Sequence, residues 1–429
     1  MKCKKHIIYI VSSFIIGLLL FYNSPLYNRC PLFDLSVYID IGRAINSGKI
    51  MYTDIYDTKG PFWYILCSII TAIPIKSVVV WFIFDCIIMY FIMILFDKII
   101  SIRKQSSILF VILINIYIVS IFVFNMIDTN SEYRTLPIIL SIIYLIVRSI
   151  ETNTVLTNNQ ICLIGFLSSS ILFIKYTSII TPFIFIIYYF IKKRFNILSF
   201  LKGCLITILL VSIYFIVNHN FIDYLKVQKS VILTHVITKN NYPKLLYLII
   251  LLFIFIIPFI LELYTNINIY RLLFIINALI LMICINSYLY YYIILVSYIP
   301  LVYFTITKIN IQQIIVSLYL SIVCICSIIL STILYNNQNK NLKNIYNSIS
   351  KYESIYVSQF PEYQYYKNEE LPYYFDVVAD YDNYIIYTNN IISTEQYDYL
   401  CLPIQIKSTK YEFINTIDDS FYIYKKKSI

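Results

Sequence analysis

Charge is scarce in this 429-residue chain: Asp, Glu, Lys and Arg make up 13% of it against 60% hydrophobic residues, with a mean hydropathy of +0.76. A chain so poor in charge cannot clothe a soluble surface of this size, which excludes an ordinary water-soluble protein. Histidine is scarcer still. Its three positions, 6, 219 and 235, leave little material for a His-based triad or a His-rich metal site. There is no Walker loop, no GxGxxG, no HExxH and no internal repeat, which disfavours an ATP-driven pump. Nor does any nucleic-acid-binding pattern accompany the net charge of +10. Ten cysteines are scattered without repeated ligand spacing, and Cys324 and Cys326 point to different faces of one predicted helix, so a zinc or haem site is not indicated.

What the chain does have is a series of apolar runs approaching the ~20 residues needed to cross a hydrocarbon core of roughly 30 Å. They are helical in length and not the alternating ~10-residue segments of an outer-membrane barrel. The fold class expected is therefore an all-α polytopic membrane protein. The start MKCKKH, followed by apolar 7–22 and then Tyr22-Asn23-Ser24-Pro25, lacks a small-residue cleavage pattern and reads as a retained first helix. Lys2, Lys4 and Lys5 place its beginning in the cytoplasm.

The apolar stretch 61–76 decides the topology. If it spanned, the clusters Lys98/Arg103/Lys104 and Lys192/Lys193/Arg194 would fall outside, against the positive-inside tendency, so it is expected to lie at the interface. The remaining spans then read as 77–98, 106–125, 133–150, 160–174, 176–191, 199–217, 244–261, 270–286, 288–305 and 311–334, eleven with the first. The pair 160–174 and 176–191 is short, and a helical hairpin turning near Lys175 fits equally. The polar loop 218–243 carries amphipathic helical spacing over 222–238, which suits either a lid or a solvated connector.

Composition changes near 335. Residues 1–334 form one unit with a first extracytoplasmic loop at 23–76, and 335–429 a polar, tyrosine-rich extracytoplasmic α/β unit. The tail carries a charge of −3 and leaves +13 to the membrane part. Its residues 337–351 read as helix, and 354–359, 383–389, 398–403 and 420–426 as short strands. Cys30 and Cys401 both fall outside the cell in this topology, which leaves a disulfide between them open.

The most polar stretch beside the spans is 34–61, with Asp34, Asp40, Asp54, Asp57 and Lys59 ahead of a Gly60-Pro61 turn. Carboxylates are costly near a bilayer, so several between two apolar segments point to use. Paired with an ammonium group they suit base catalysis on a hydroxyl next to an anionic leaving group. Each has a plainer reading. Segment 34–48 fits an amphipathic helix ended by Gly48, for which Asp34 could serve as N-cap. Asp40 and Arg43 are spaced as a surface ion pair, Asp54 and Asp57 suit turns, and Lys59 suits a solvated interface. Elsewhere, Asp128 and Glu132 reach the same level, and with Asp34 they offer hard oxygen ligands for a divalent ion such as Mg or Mn. Asp85, inside a predicted span, carries an insertion cost of roughly 2.5–3.5 kcal/mol and should face a partner or a wet cavity.

On these residues the chain resembles the bacterial GT-C glycosyltransferases, the superfamily of protein O-mannosyltransferases and lipid A aminoarabinose transferases. The resemblance rests on Asp34, Gly48 and the run Tyr52, Asp54, Asp57, Lys59, Gly60, Pro61, with echoes at Asp85, Glu132-Tyr133 and Gly165 to Lys175. Departures are Ser131, where the family often has a further acidic residue, and Tyr290-Tyr291-Tyr292 in place of a His-Tyr pair. The resemblance implies an inverting transferase of a bacterial cytoplasmic membrane. Its donor would be a polyprenyl-phosphate sugar and its acceptor a glycan, lipid or protein. Asp34 would act as base with Asp57 beside it, and Lys59, Tyr52, Asp54, Asp85 and Lys175 would form the substrate site. A polysaccharide polymerase or ligase, and a transporter or flippase of lipid-linked glycans, are the rival classes. The first prefers an arginine-rich late loop, which 218–243 lacks, and the second a midplane polar path.

Overall fold

The computed structural model describes residues 2–26, 33–102, 108–122, 130–237, 269–284 and 289–302, and in the tail 344–357, 381–417 and 421–427 with short interruptions. The first part comprises α1 (Lys2–Leu20), α2 (Phe33–Asn46), α3 (Pro61–Ala72), α4 (Ser77–Ile100), α5 (Ile108–Phe122), α6 (Ser131–Glu151), α7 (Asn158–Leu172), α8 (Ile180–Lys192), α9 (Ile197–Asn218), α10 (Phe221–Ile237) and α11 (Ile269–Cys284). A short 3-10 turn, Tyr176–Ile179, leads into α8. Of these, α4, α6 and α9 are long and apolar enough to cross a membrane.

Two polar contacts establish the ends of the bundle. Lys5 Nζ lies 2.5 Å from Asp97 Oδ1, so the start of α1 and the end of α4 share one level. At the other end of α1, Asn23 donates to Asp85 Oδ2 at 3.0 Å. The two helices are therefore antiparallel. With 12 residues, α3 extends about 18 Å, well short of a hydrocarbon core of roughly 30 Å. Helices α7 and α9 pack along their length, with Ser169 Oγ donating to Thr207 Oγ1 at 2.8 Å across the seam. Small polar residues let two helices approach closely where lipid offers no hydrophobic drive.

Several expectations change. Within the expected span 288–305, the described residues are not a regular α-helix: Leu289–Tyr298 is a 3-10 segment, followed by one α-turn at Ile299–Val302. The segment 383–389, expected as a strand, belongs to helix α12 (Tyr381–Thr394). Its buried positions Thr388 and Ile391, three apart, carry helical periodicity that the local β-rich composition obscured. The topology also asks for a helix there. Strand β1 (Ile355–Val357) runs parallel to β2 (Tyr399–Leu402), and a parallel pair needs a crossover. Strands β3 (Tyr411–Ile417), in a segment where no strand was expected, and β4 (Phe421–Lys426) complete an order β1-β2-β4-β3, with β4 antiparallel to both neighbours. Cys401 is a free thiol buried in β2, while Cys30 lies outside the described residues. The expected spans 244–261 and 311–334 also lie outside them. The same holds for much of 337–351, whose described residues 344–345 and 347–349 are helical.

Candidate functional site

The polar residues of 34–61 fold onto one end of the bundle, opposite Lys5 and Asp97. Helix α2 carries Asp34 in its first turn, where the exposed amide groups and helix dipole favour an anion. The N-cap role foreseen for Asp34 therefore gives way to a place inside the helix. The helix stops as the sequence foresaw: Gly48 takes φ +98°, a conformation glycine adopts without penalty, and Lys49 N–H closes on the Ala44 carbonyl at 3.0 Å. Asp40 pairs with Arg43 at 3.3 Å, but the carboxylate is fully buried and the pair is not a surface feature.

The loop after α2 is held rigidly. Asp54 accepts the Ile50 N–H at 2.7 Å and closes a turn. Tyr52 sits at φ +70°, a region costly for a bulky residue and found where surrounding contacts over-determine the backbone. Those contacts are visible. Its N–H reaches the Ile55 carbonyl at 2.8 Å, its hydroxyl donates to the Lys59 carbonyl at 2.8 Å, and its ring meets Tyr224 edge-on at 5.0 Å. Tyr52 and Asp54, foreseen as substrate-binding, both brace the loop that presents Asp57 and Lys59.

Asp57 is buried, accepts the Thr58 N–H, and pairs with Lys59 Nζ at 3.3 Å. The Lys59 ammonium also lies 5.0 Å from the centre of the Tyr38 ring. The turn that follows docks on the segment after α7. Gly60 N–H points to the Ile174 carbonyl at 3.4 Å and Phe62 N–H to that of Phe173 at 3.2 Å. A Cβ on Gly60 would overlap the Phe173 carbonyl, while the backbone there, φ −79°, suits any residue. Gly60 is needed for space alone. Gly60→Ala is expected to cost about 1–3 kcal/mol of stability, as overpacking against backbone does. Thermal unfolding in detergent would show it as a lowered midpoint, and an unchanged midpoint would mean the turn does not rest on Phe173.

This docking places Lys175 beside the first turn of α6. Lys175 Nζ lies 3.2 Å from Glu132 Oε1, and Ser131 Oγ donates to Glu132 Oε2 at 3.1 Å. Asp34, a half-buried residue, feels these charged groups. Loss of hydration lifts its pKa above the ordinary carboxylate value. The Lys59 charge lowers it, Glu132 raises it, Lys175 lowers it and Asp57 raises it. Asp34 therefore lies within electrostatic reach of both lysine–carboxylate pairs.

Below this level, Asp85 is fully buried and grips Arg134 through two bonds, Nε to Oδ1 at 2.8 Å and Nη2 to Oδ2 at 3.0 Å. The guanidinium carbon lies 4.1 Å from the Trp81 ring centre and 5.4 Å from that of Trp63, so both of the chain's tryptophans flank it. Asp85, foreseen as substrate-binding, has its carboxylate taken by Arg134 and Asn23. Arg134 and Asn23 were not singled out from the sequence. The available signal was that a buried intramembrane charge requires an opposite charge nearby.

No protein-family model, characterised protein or solved structure matches the chain.

The metal site foreseen from Asp34, Asp128 and Glu132 is not assembled among the described residues: Asp128 lies outside them, and no three acidic, His or Cys side chains cluster suitably. The donor chemistry of Glu132 also fits poorly, because one oxygen faces the Lys175 ammonium and the other a hydroxyl. Of the foreseen residues, the structure gathers Asp34, Asp57, Lys59, Lys175 and Glu132.

The loop 218–243 is also settled in part. The first turns of α10 lie on the site loop and are not a solvated connector: Asn220 donates to the Met51 carbonyl at 2.8 Å, Gln228 to that of Thr58 at 3.2 Å, and Thr53 to Asp223 at 3.3 Å.

Proposed function

We propose that the chain is an integral-membrane glycosyltransferase acting at the extracytoplasmic face of a bacterial cytoplasmic membrane. It moves a sugar from a polyprenyl-phosphate carrier to a hydroxyl of a glycan, lipid or protein acceptor. The observation that carries this reading is the presence, at one end of a helical bundle, of two lysine–carboxylate pairs within electrostatic reach of the half-buried Asp34. The end bearing Lys98, Lys192 and Lys193 faces the cytoplasm by the positive-inside tendency, which puts the site outside. The tail 335–429 lies on that side too, as an extracytoplasmic unit.

Asp34 takes the proton of the acceptor hydroxyl as its oxygen bonds to the anomeric carbon. The bond from that carbon to the phosphate oxygen breaks, and the polyprenyl phosphate leaves with the electron pair. Lys59 and Lys175 stabilise the departing phosphate, held in place by Asp57 and Glu132. A base with a raised pKa takes the proton more readily, while the two ammonium groups favour its ionised form. Activity therefore rises as pH climbs through the Asp34 pKa. Removing either lysine charge removes a lowering influence, so Lys59→Gln or Lys175→Gln should move the acid limb of the residual activity to higher pH. A limb that stays put or moves lower would detach Asp34 from the proton transfer.

The test of the reading is donor turnover by purified protein in liposomes containing polyprenyl-phosphate hexoses and an oligosaccharide acceptor mixture. Free polyprenyl phosphate should appear only when acceptor is present. Movement of intact donor between leaflets without its consumption would instead establish a flippase.

A further inference from the structure

Helix α10 has two differently occupied sides. Tyr224, Val227 and Gln228, at i, i+3 and i+4, face the site loop, and Val227 is buried among its side chains. On the other side Phe221, Ile222 and Leu225 are exposed, Ile222 at 67%, and the exposed Lys226 and Lys229 share that outward sector. Lys226 is paired with Asp223 at 3.0 Å, so the sector keeps a net positive charge through Lys229. This apolar strip continues another. The last turns of α9, a helix long enough to cross a membrane, expose Ile213, Ile216 and Val217, and the chain bends into α10 at His219, which takes φ +51°.

We propose that α10 lies in the plane of the membrane surface, docked on a bilayer with anionic headgroups. Phe221, Ile222 and Leu225 enter the upper acyl layer, and Lys226 and Lys229 reach phosphate groups. Charge and position select this occupant. An apolar face with lysines on the same side suits anionic lipid, and its continuity with the α9 strip places it at the depth where acyl chains end. The opposite side grips Met51, Thr53 and Thr58, so contact with lipid presses on the loop that carries Asp57 and Lys59. This inference rests on the membrane reading of the chain and not on its transferase activity.

The test is an added tryptophan at the outward side, Ile222→Trp, with Leu225→Trp as an independent second variant. The full chain is placed in phosphatidylcholine vesicles with and without phosphatidylglycerol, and emission is read as the difference from the parent protein. The added emission should be blue-shifted, quenched by brominated acyl chains and shielded from aqueous iodide. Lys226→Glu together with Lys229→Glu should weaken the quenching markedly in phosphatidylglycerol vesicles and little in phosphatidylcholine alone. Emission from both variants that iodide quenches and brominated lipid does not would overturn the proposal in favour of a solvated face. Shielding from both quenchers that disappears at low protein-to-lipid ratio would overturn it in favour of a second copy of the chain. Neither readout depends on donor turnover, so a failure here is separable from a failure of the transferase reading.

Discussion

Asp34→Asn should lower donor turnover by about 10²–10⁴-fold, the contribution typical of a positioned general base, while leaving the protein in the membrane at its normal level. The two halves of this result come from the same geometry. The amide is nearly isosteric with the carboxylate but cannot take the acceptor proton, so the chemical step fails. Because Asp34 is half-buried and stands among charges of both signs, replacing it leaves no buried ion uncompensated. Asp54→Ala should behave in the opposite way, since it removes the acceptor that closes the Ile50 turn, with a loss of loop stability and a smaller effect on turnover. Turnover at a matched amount of folded protein distinguishes the two. An Asp34→Asn protein with wild-type turnover would remove Asp34 as the base.

Arg134→Ala should destabilise the helical bundle by about 3–5 kcal/mol, because it strands the Asp85 carboxylate in a site with no access to water. Asp85→Ala should cost a similar amount by stranding the guanidinium. A double replacement by apolar residues, Asp85→Leu with Arg134→Met, should recover most of the loss, since removing both charges also removes the desolvation cost. The stacking of Arg134 on Trp81 and Trp63 would be lost in every case, and its absence sets the remaining deficit. Thermal midpoints of the purified variants in detergent provide the check. Single variants as stable as the parent, or a double variant worse than either single, would mean that the pair does not hold α4 to α6.

How much of this was legible in the sequence depended on range. The Gly48 stop of α2 and the long apolar α4, α6 and α9 follow from local rules: a left-handed glycine, and runs long enough to cross. The gathering of Asp57, Lys59, Lys175 and Glu132 does not. It depends on Gly60 having no side chain, which lets residues 60–62 lie on the 173–174 backbone more than a hundred positions away. Local signals pointed elsewhere in three places. Tyr52 looked like a substrate contact because tyrosine sat in a motif, whereas its hydroxyl is spent on the Lys59 carbonyl. Asp40 looked superficial because its i, i+3 spacing with Arg43 is that of surface pairs, yet α2 turns it inward. NYIIYTN looked like a strand because its residues favour one, and a parallel β1–β2 pair required a helix there.

The central claim is that one end of the bundle holds the reacting groups and that this end faces outside the cell. Single cysteines in an otherwise cysteine-replaced chain test it most directly: Thr58→Cys beside Asp57 and Lys59, and Asn153→Cys, an exposed position at the end shared with Lys193. Cells treated with a membrane-impermeant maleimide should label Cys at 58 while intact and Cys at 153 only after permeabilisation. Labelling of both from one side, or the reverse order, would contradict the account.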